Sequence, residues 1–250
     1  MKITDVHAHI LPRLDDGASC IEESVKMLRL AESQGITEII ATPHYSHYFK
    51  NYVEDVQIAC GSLKQFVKNR TNFQIQIYPG QEIMYSEDVP DLMRQGKLMT
   101  LAGSRYFLME FQPFESYSKI LRAVRTVIML GHGIILAHVE RYERLRDREK
   151  IEELLQEGAR LQMNYRPVGN KWYDDTARWC RKMLKEEKIH FLGTDMHNIQ
   201  DRSPRLQPAY GWMEKHLSKE YRNKICFENA EKIINNQRIE ERGEHWNQRY

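Results

Sequence analysis

The chain has 250 residues, a length that α/β barrels commonly reach as one domain. Its composition, with 41% hydrophobic and 29% charged residues, is that of an ordinary globular protein and excludes the disordered, collagenous and fibrous classes. The 37 lysine and arginine residues are balanced by 35 aspartate and glutamate residues, so the net charge of +2 leaves no general basic field for nucleic acid or an anionic membrane. Any anion must therefore be bound by a local group of residues.

Cysteine usage and the lack of long apolar runs predict a cytoplasmic protein without membrane insertion. The four cysteines are scattered and form no C-x-x-C pair, which is typical of reduced thiols. Charged residues and a histidine appear near the N-terminus before an apolar signal segment could form. No apolar run approaches the roughly 18 residues that a membrane span needs.

Short apolar segments alternate with longer amphipathic segments along the chain. The short segments predict seven strands, at residues 3–6, 38–42, 74–78, 106–111, 133–138, 160–164 and 190–194. The longer segments predict helices at residues 21–34, 53–68, 88–95, 116–130, 146–157, 173–187 and 204–216. Glycines stand where helix C-caps are needed, at Gly35, Gly96, Gly131 and Gly158. This alternation favours parallel strands in one α/β domain, either doubly wound or closed into a barrel. We expect the domain to cover residues 1–236, and the mostly charged residues 237–250 to form an exposed tail or an oligomer contact.

Histidines and carboxylates follow the predicted strands at the end where a β/α barrel places its active site. His7 and His9 are two residues apart at the end of the first strand, so they project to the same face, and Asp195 and His197 repeat that spacing after the seventh. Four other strands each deliver one such residue, namely His44, Glu82, Glu110 and His138. One of these side chains alone is more often a solvated or capping residue than a ligand, but eight at one end favour a common site. Imidazole and carboxylate ligands without thiolates suit Mn²⁺, Fe²⁺ or Zn²⁺, and several carboxylates that can bridge indicate two or more ions.

Two arginines belong to the same loops and suggest a phosphate substrate. Arg141 lies three residues beyond His138, and Arg202 lies five beyond His197. A guanidinium group can grip two phosphate oxygens, although each arginine could equally be a surface residue paired with a nearby acid. His47, three residues past His44, is a candidate general acid.

Other phosphatase and nucleotide chemistries lose support on the same sequence. A cysteine phosphatase needs an arginine six residues after its nucleophile, and none of the four cysteines has one. The chain contains no G-x-S-x-G, G-x-x-x-x-G-K-[ST] or G-x-G-x-x-G motif, which argues against serine hydrolases, P-loop NTPases and dinucleotide enzymes.

Six short motifs together resemble a known superfamily. They are Asp5-Val6-His7-Ala8-His9-Ile10-Leu11-Pro12 leading into Asp15-Asp16-Gly17-Ala18, Ala41-Thr42-Pro43-His44, Gly80-Gln81-Glu82, Leu108-Met109-Glu110-Phe111, Ala137-His138-Val139-Glu140-Arg141-Tyr142 and Asp195-Met196-His197-Asn198. In order and spacing they resemble the PHP (polymerase and histidinol phosphatase) superfamily. Within it they are similar to the bacterial manganese-dependent protein-tyrosine phosphatases of capsule and exopolysaccharide operons, and the resemblance covers residues 1 to about 236.

The resemblance implies a fold, a metal centre and an activity. The fold would be a distorted (β/α)7 TIM-like barrel, and the centre would hold three divalent ions, usually Mn²⁺. By motif, His7, His9, Glu82 and Asp195 would hold one ion, Glu82, Glu110 and His138 a second, and Asp16, His44 and His197 a third. Spacing alone does not separate Asp16 from Asp15. Arg141 and Arg202 would bind the substrate phosphate while a metal-activated water attacks phosphorus without a phosphoenzyme.

The implied substrate is a phosphotyrosine protein, such as the tail of an autophosphorylated bacterial tyrosine kinase. Two alternatives remain open: hydrolysis of histidinol phosphate or another small phosphomonoester, and a non-catalytic role in binding the kinase.

The chain departs from the family pattern at Val139, where the family often has proline, and in the loop over residues 162–172, which lacks the expected small residues. The second departure bears on substrate preference. The aromatic residues Tyr45, Tyr48, Phe49 and Tyr52 could line a phosphotyrosine pocket or cap the barrel.

Overall fold

The computed structural model describes residues 2–70 and 73–239, and every strand pairing in it is parallel. The strands are β1 Ile3–Ala8, β2 Ile36–Ala41, β3 His44–Tyr45, β4 Gln76–Pro79, β5 Glu82–Met84, β6 Tyr106–Glu110, β7 Gly133–Leu136, β8 Arg160–Asn164 and β9 Phe191–Gly193. The α-helices are α1 Ile21–Ser33, α2 Val53–Arg70, α3 Val89–Arg94, α4 Tyr117–Met129, α5 Arg148–Gln156, α6 Tyr165–Val168, α7 Asp175–Lys185, α8 Gln207–His216, α9 Lys219–Asn223 and α10 Asn229–Ile234. Shorter turns of 3₁₀ helix lie at Leu101–Gly103, Val139–Arg141 and Glu143–Arg146, and a π-helical turn lies at Lys224–Glu228.

All seven predicted strands and all seven predicted helices are present, with small differences at their ends. The four glycines predicted as C-caps have positive φ angles of 93°, 65°, 83° and 92°, which glycine adopts without steric cost. Helices α5, α7 and α9 begin with a side-chain cap from Asp147, Asp174 and Ser218, respectively. Helices α6, α9 and α10 were not predicted because each has only four to six residues, too few to show a period.

Strands β3 and β5 are additional to the prediction, because two strands are interrupted and resume two residues later. Pro43, between β2 and β3, has no amide hydrogen to donate to a ladder. Gly80, between β4 and β5, is so closely packed that a Cβ atom there would lie 2.7 Å from Ile40 Cγ2. The interruptions transfer the pairing from one sheet to another, so His44 and Glu82 face each other in the β3–β5 pair.

The strands form one curled parallel sheet system in a single α/β unit. One sheet has the order β1-β2-β4 and the other the order β3-β5-β6-β7-β8-β9. The residues after β9 then run alongside β1, where Asp195 N donates to His7 O at 2.8 Å and His9 N donates to Met196 O at 2.9 Å. The first and last strands therefore deliver their loops to the same place.

A buried apolar cluster packs the strands against the C-terminal helix α10. It takes residues from five strands and from α10, and Ile239 is buried in it. Ile239 N donates to the Tyr106 hydroxyl at 2.9 Å, and Arg160 Nη2 donates to Ile239 O at 2.8 Å. The chain thus still packs on the sheet three residues beyond the predicted domain end, and the rest of the predicted tail, residues 240–250, lies outside the described residues.

His190, just before β9, is a half-buried histidine. Its Nδ1 accepts a hydrogen bond of 3.2 Å from Leu161 N. Burial lowers the pKa of His190 to about 3, and the positive charges of Arg160 and Lys224 act in the same direction.

No helix in residues 2–70 and 73–239 is both long enough and apolar enough to cross a membrane.

Candidate metal centre

The fold gathers the nine predicted ligand side chains at the C-terminal ends of the strands. His44 and Glu82 begin β3 and β5, directly after the interruptions of β2 and β4, and Asp16 lies in the loop that follows β1. The others lie at the end of or after β1, β6, β7 and β9, namely His7, His9, Glu110, His138, Asp195 and His197. Two of them, His138 and Asp195, have left-handed backbones with φ of 31° and 52°. This conformation costs a non-glycine residue about 1–3 kcal/mol and persists only where surrounding contacts enforce it.

One group of potential ligands is fully buried. It consists of His7, His9, Glu82 and Asp195, each of which offers an atom within 4.8 Å of the others. Glu82 Oε2 lies 2.9 Å from His7 Nε2 and 3.1 Å from His9 Nε2, and Asp195 Oδ1 lies 3.6 and 3.5 Å from the same nitrogens. These four residues are the set that the family resemblance implies for one ion.

A second group shares His9 and adds Asp16, His44 and His197. Asp16 Oδ1 lies 3.4 Å from His197 Nε2 and 3.6 Å from His44 Nε2. The neighbouring Asp15 has a different place, because its carboxylate contacts His9 Nδ1 at 2.7 Å and accepts a hydrogen bond from His44 N at 2.9 Å. The tertiary structure therefore separates the two aspartates, with Asp16 facing the group and Asp15 orienting His9.

A third group contains His44, Glu82 and Glu110. The family resemblance implies that His138 also belongs to this set. His138 Nε2 contacts both carboxylates, at 2.8 Å to Glu82 Oε1 and 3.2 Å to Glu110 Oε1. His44 joins the set because its ring lies between two groups, with Nδ1 3.2 Å from Glu82 Oε2. Glu82 is thus common to two groups, as a bridging carboxylate would be.

The donor set fits divalent cations. Glu82 Oε2 has imidazole nitrogens of His7, His9 and His44 within 3.2 Å, yet the angles make none of them a hydrogen-bonding partner. His197 Nε2 is buried without a hydrogen-bonding partner in the described residues as well. Buried lone pairs that converge in this way are costly unless a cation satisfies them.

The pKa shifts of Glu82 and His138 also indicate that positive charge is favoured in this cluster. Burial opposes ionisation of Glu82, but the imidazoles of His7 and His44 hold its pKa well below the usual range. Burial and Arg141 disfavour the His138 cation, yet hydrogen bonds to Glu110 and Glu82 raise its pKa to about 9. Positive charge on His138 thus balances the charge of the neighbouring carboxylates, and a bound metal ion would supply positive charge in its place.

Both predicted phosphate-binding arginines lie beside this cluster. Arg141 Nη2 donates to Asp195 Oδ2, and Arg202 Nη2 donates to Asp195 Oδ1 at 2.9 Å. Both arginines also line a cleft of about 590 Å³ together with Asp195. Their side chains are 38% exposed, so they remain accessible to a ligand that enters the cleft.

Sequence reasoning missed a polar relay on β8, the one predicted strand without a candidate ligand. Gln162 Oε1 accepts hydrogen bonds from His138 N at 2.6 Å and from His7 Nδ1 at 3.1 Å. Gln162 Nε2 donates to Asn164 Oδ1 at 2.9 Å, and Asn164 Nδ2 donates to Asp195 Oδ2 at 3.0 Å. The relay holds His7 with Nδ1 protonated and Nε2 free for a ligand bond. Its signal in the sequence is the alternation of polar residues 160, 162 and 164 with apolar ones on a buried strand.

The aromatic residues after β3 divide between the core and the site. Tyr45 is buried in the core, whereas Tyr48 and His47 are exposed. Phe49 stacks on His44, with ring centroids 6.0 Å apart and an interplanar angle of 14°. Phe49 is therefore the member that lies against the cluster, and His47 is not in any of the three groups.

An α/β fold with a buried histidine–carboxylate cluster at the C-terminal ends of parallel strands, and arginines beside it, is characteristic of metal-dependent hydrolases that act on phosphate esters. A family model described as capsular polysaccharide synthesis, CpsB/CapC, matches residues 3–235. The chain belongs to this family.

Characterised relatives are similar over nearly their whole length. The tyrosine-protein phosphatase YwqE of Bacillus subtilis is 32% identical over 240 residues, which cover 94% of this chain and 92% of YwqE. The tyrosine-protein phosphatase CpsB of Streptococcus agalactiae is 30% identical over 241 residues, covering 94% and 99%. A crystal structure from a study of YwqE and Streptococcus pneumoniae CpsB, described as unique metal-dependent tyrosine phosphatases, superposes with a TM-score of 0.87 at 28% identity and covers 95% of this chain and 96% of that one.

More distant structures share the fold alone. Histidinol phosphate phosphatase from Lactococcus lactis, solved with zinc, L-histidinol and phosphate, has a TM-score of 0.56 at 16% identity, covering 86% of this chain and 94% of that one.

Proposed function

We propose that this protein is a metal-dependent protein-tyrosine phosphatase. The observation that carries the proposal is the direct contact between the buried histidine–carboxylate cluster and two accessible arginines, in a chain of the CpsB/CapC family. The cluster supplies ligands for cations, and the arginines supply donors for phosphoryl oxygens. Because of this contact, the arginine donors that would bind the phosphoryl group lie next to the residues that would hold the metal ions.

The nine cluster residues would hold the metal, and we propose three Mn²⁺ ions. Their donor types suit Mn²⁺ but also Fe or Zn. When bound, the ions supply Lewis acidity and an activated water as nucleophile. Four buried side chains would form the first site: His7, His9, Glu82 and Asp195. We further propose that the sheet is a distorted (β/α)7 barrel formed by residues 1–236.

The chain's own residues position the substrate and hold the site together. Arg141 and Arg202 would each extend free N–H donors to the phosphoryl oxygens while keeping their contact with Asp195. Asn164 fixes the Asp195 carboxylate from the other side through its hydrogen bond to Oδ2. Phe49, stacked on His44, offers an apolar face to the phenyl ring of a phosphotyrosine. A phenolate leaving group needs little protonation, so the reaction does not depend on a strong general acid.

We propose that the physiological substrate is phosphotyrosine in the tail of a bacterial tyrosine kinase that controls capsule or exopolysaccharide synthesis, and that the protein acts in the cytoplasm. The family model and the names of the relatives support this proposal. The alternatives are a phosphatase for histidinol phosphate or other small esters and a non-catalytic kinase-binding protein. A complete ligand cluster disfavours the latter, because binding alone does not need it.

The test compares initial rates with a phosphotyrosine peptide and with histidinol phosphate, using Mn²⁺-loaded protein before and after chelation. Turnover of the peptide that is lost on chelation and regained with Mn²⁺ is the expected result. A preference for histidinol phosphate would move the protein to the small-ester class. Binding of the peptide without turnover of either substrate would indicate the non-catalytic role.

A further inference from the structure

The cleft beside the metal centre contains more positive charge than the proposed phosphate contact uses. Four arginines line it: Arg141, Arg146, Arg166 and Arg202. Only the first and last contact Asp195. The carboxyl groups that line the same cleft are those of Glu140, Glu143 and Asp195.

Arg146 is already committed to structural contacts. Its Nη2 donates to Glu140 O at 2.7 Å and to Thr176 Oγ1 at 3.4 Å. Its guanidinium carbon lies 4.5 Å from the centre of the Trp179 ring, in a cation–π contact. Arg146 therefore anchors the cleft wall.

Arg166 is different, because most of its donors are available. It is exposed, and within residues 2–70 and 73–239 it forms no ion pair; its side-chain hydrogen bond goes to Ser203 O at 3.2 Å. A guanidinium group has five N–H donors in a planar fork. Several therefore remain for a ligand in the cleft.

The backbone that carries Arg166 is held rigidly. Arg181 donates to Val168 O from Nε at 3.1 Å and from Nη2 at 3.0 Å, and its Nη2 also donates to Asn170 O at 2.6 Å. Gly169 packs so closely on α8 that a Cβ atom there would lie 2.9 Å from Ala209 N. Arg166 thus lies on the short helix α6, whose C-terminal end is anchored by these contacts, which lowers the entropy lost when it binds a ligand.

We propose that Arg166 binds an acidic side chain next to the phosphotyrosine in the substrate, and so sets a preference for acidic phosphopeptides. The inference rests on the proposed function, since it assumes that a phosphotyrosine occupies the adjacent arginines. The ligand group is a side-chain carboxylate, because its two oxygens match the planar guanidinium fork. Glu143, in the same cleft, opposes this preference by repulsion.

The test measures kcat/KM for phosphotyrosine peptides that differ only in having Glu or Gln at the positions flanking the phosphotyrosine. We expect the wild type to favour the Glu peptides by about three- to tenfold at low salt, and less at high salt, as is usual for exposed charges. Arg166→Gln should reduce the ratio to about one, and Arg166→Lys should retain part of it. Glu143→Gln should increase the ratio, because it removes a competing negative charge.

The matched control is Lys171→Gln, which removes one positive charge from the same loop at a residue that does not line the cleft. It should retain the wild-type ratio. A second readout without turnover is the affinity for peptides that carry a non-hydrolysable phosphonate, measured by fluorescence anisotropy, in which the same ratios are expected. An equal kcat/KM for Glu and Gln peptides in the wild type, or an unchanged ratio in Arg166→Gln, would overturn the proposal. Hydrolysis of p-nitrophenyl phosphate measures phosphatase activity independently of the peptide sequence. If the wild-type protein hydrolysed neither this compound nor the peptides, the result would count against the proposed function instead.

Discussion

Replacing Gln162 with leucine tests the relay that joins the candidate ligands. Gln162 is fully buried, and the change removes the partners of three buried groups: the backbone N–H of His138, Nδ1 of His7 and the side-chain oxygen of Asn164. An orphaned buried polar group costs about 1–3 kcal/mol. At about 1–2 kcal/mol for each of the three, the free energy of unfolding should fall by about 3–6 kcal/mol, a large part of the typical total.

Urea denaturation in the presence of a chelator measures this change without a contribution from bound metal. Gln65→Leu, at an exposed position on α2, is the matched control and should change stability by less than about 0.5 kcal/mol. Because the relay also orients His7 and Asp195, the Mn²⁺ affinity of Gln162→Leu should fall by about 10- to 100-fold. A stability loss below about 1 kcal/mol, together with unchanged metal affinity, would refute the argument.

Four further outcomes follow from the same structure. Asp195→Asn should lose bound metal and nearly all turnover while circular dichroism shows an intact fold, and full turnover would remove Asp195 from the site. Arg141→Ala should lower kcat/KM by about 10- to 100-fold with metal content retained, since a charged hydrogen bond contributes about 1.5–3 kcal/mol, whereas unchanged kinetics would make Arg141 a surface residue. Chelation should lower the melting temperature, because at 100 times Kd a ligand of the folded state stabilises it by about 2.7 kcal/mol, and an unchanged melting temperature would argue against a resident metal. His190 has a pKa of about 3 in the folded protein and about 6.5 when unfolded, so the unfolded chain binds more protons in that range and stability falls as pH drops from about 6.5 towards 3. Denaturant titrations at several pH values should show a flatter decline in His190→Gln, and the same flattening in the exposed His216→Gln would disprove the assignment.

The order and type of the main secondary-structure elements can be predicted from the amino-acid sequence. Their signal is local: the apolar period of each strand or helix, and the glycine after each of several helices, act within a few residues of chain. The pairs His7–His9 and Asp195–His197 are also recognisable from the local sequence, since a spacing of two residues on a strand places side chains on one face. It also made the cluster predictable, because parallel strands bring their C-terminal ends together.

The contacts that each site residue makes with other parts of the chain are visible only in the tertiary structure. Asp15 and Asp16 are adjacent in the chain, yet contacts with His9 and His197 give them different places. The role of Gln162 depends on hydrogen-bonding partners that come from other strands. The N–H donors of Arg166 are available because, within the described residues, no carboxylate pairs with it. Such contacts join residues far apart in the chain, and their strength depends on burial and angle, which no local pattern records.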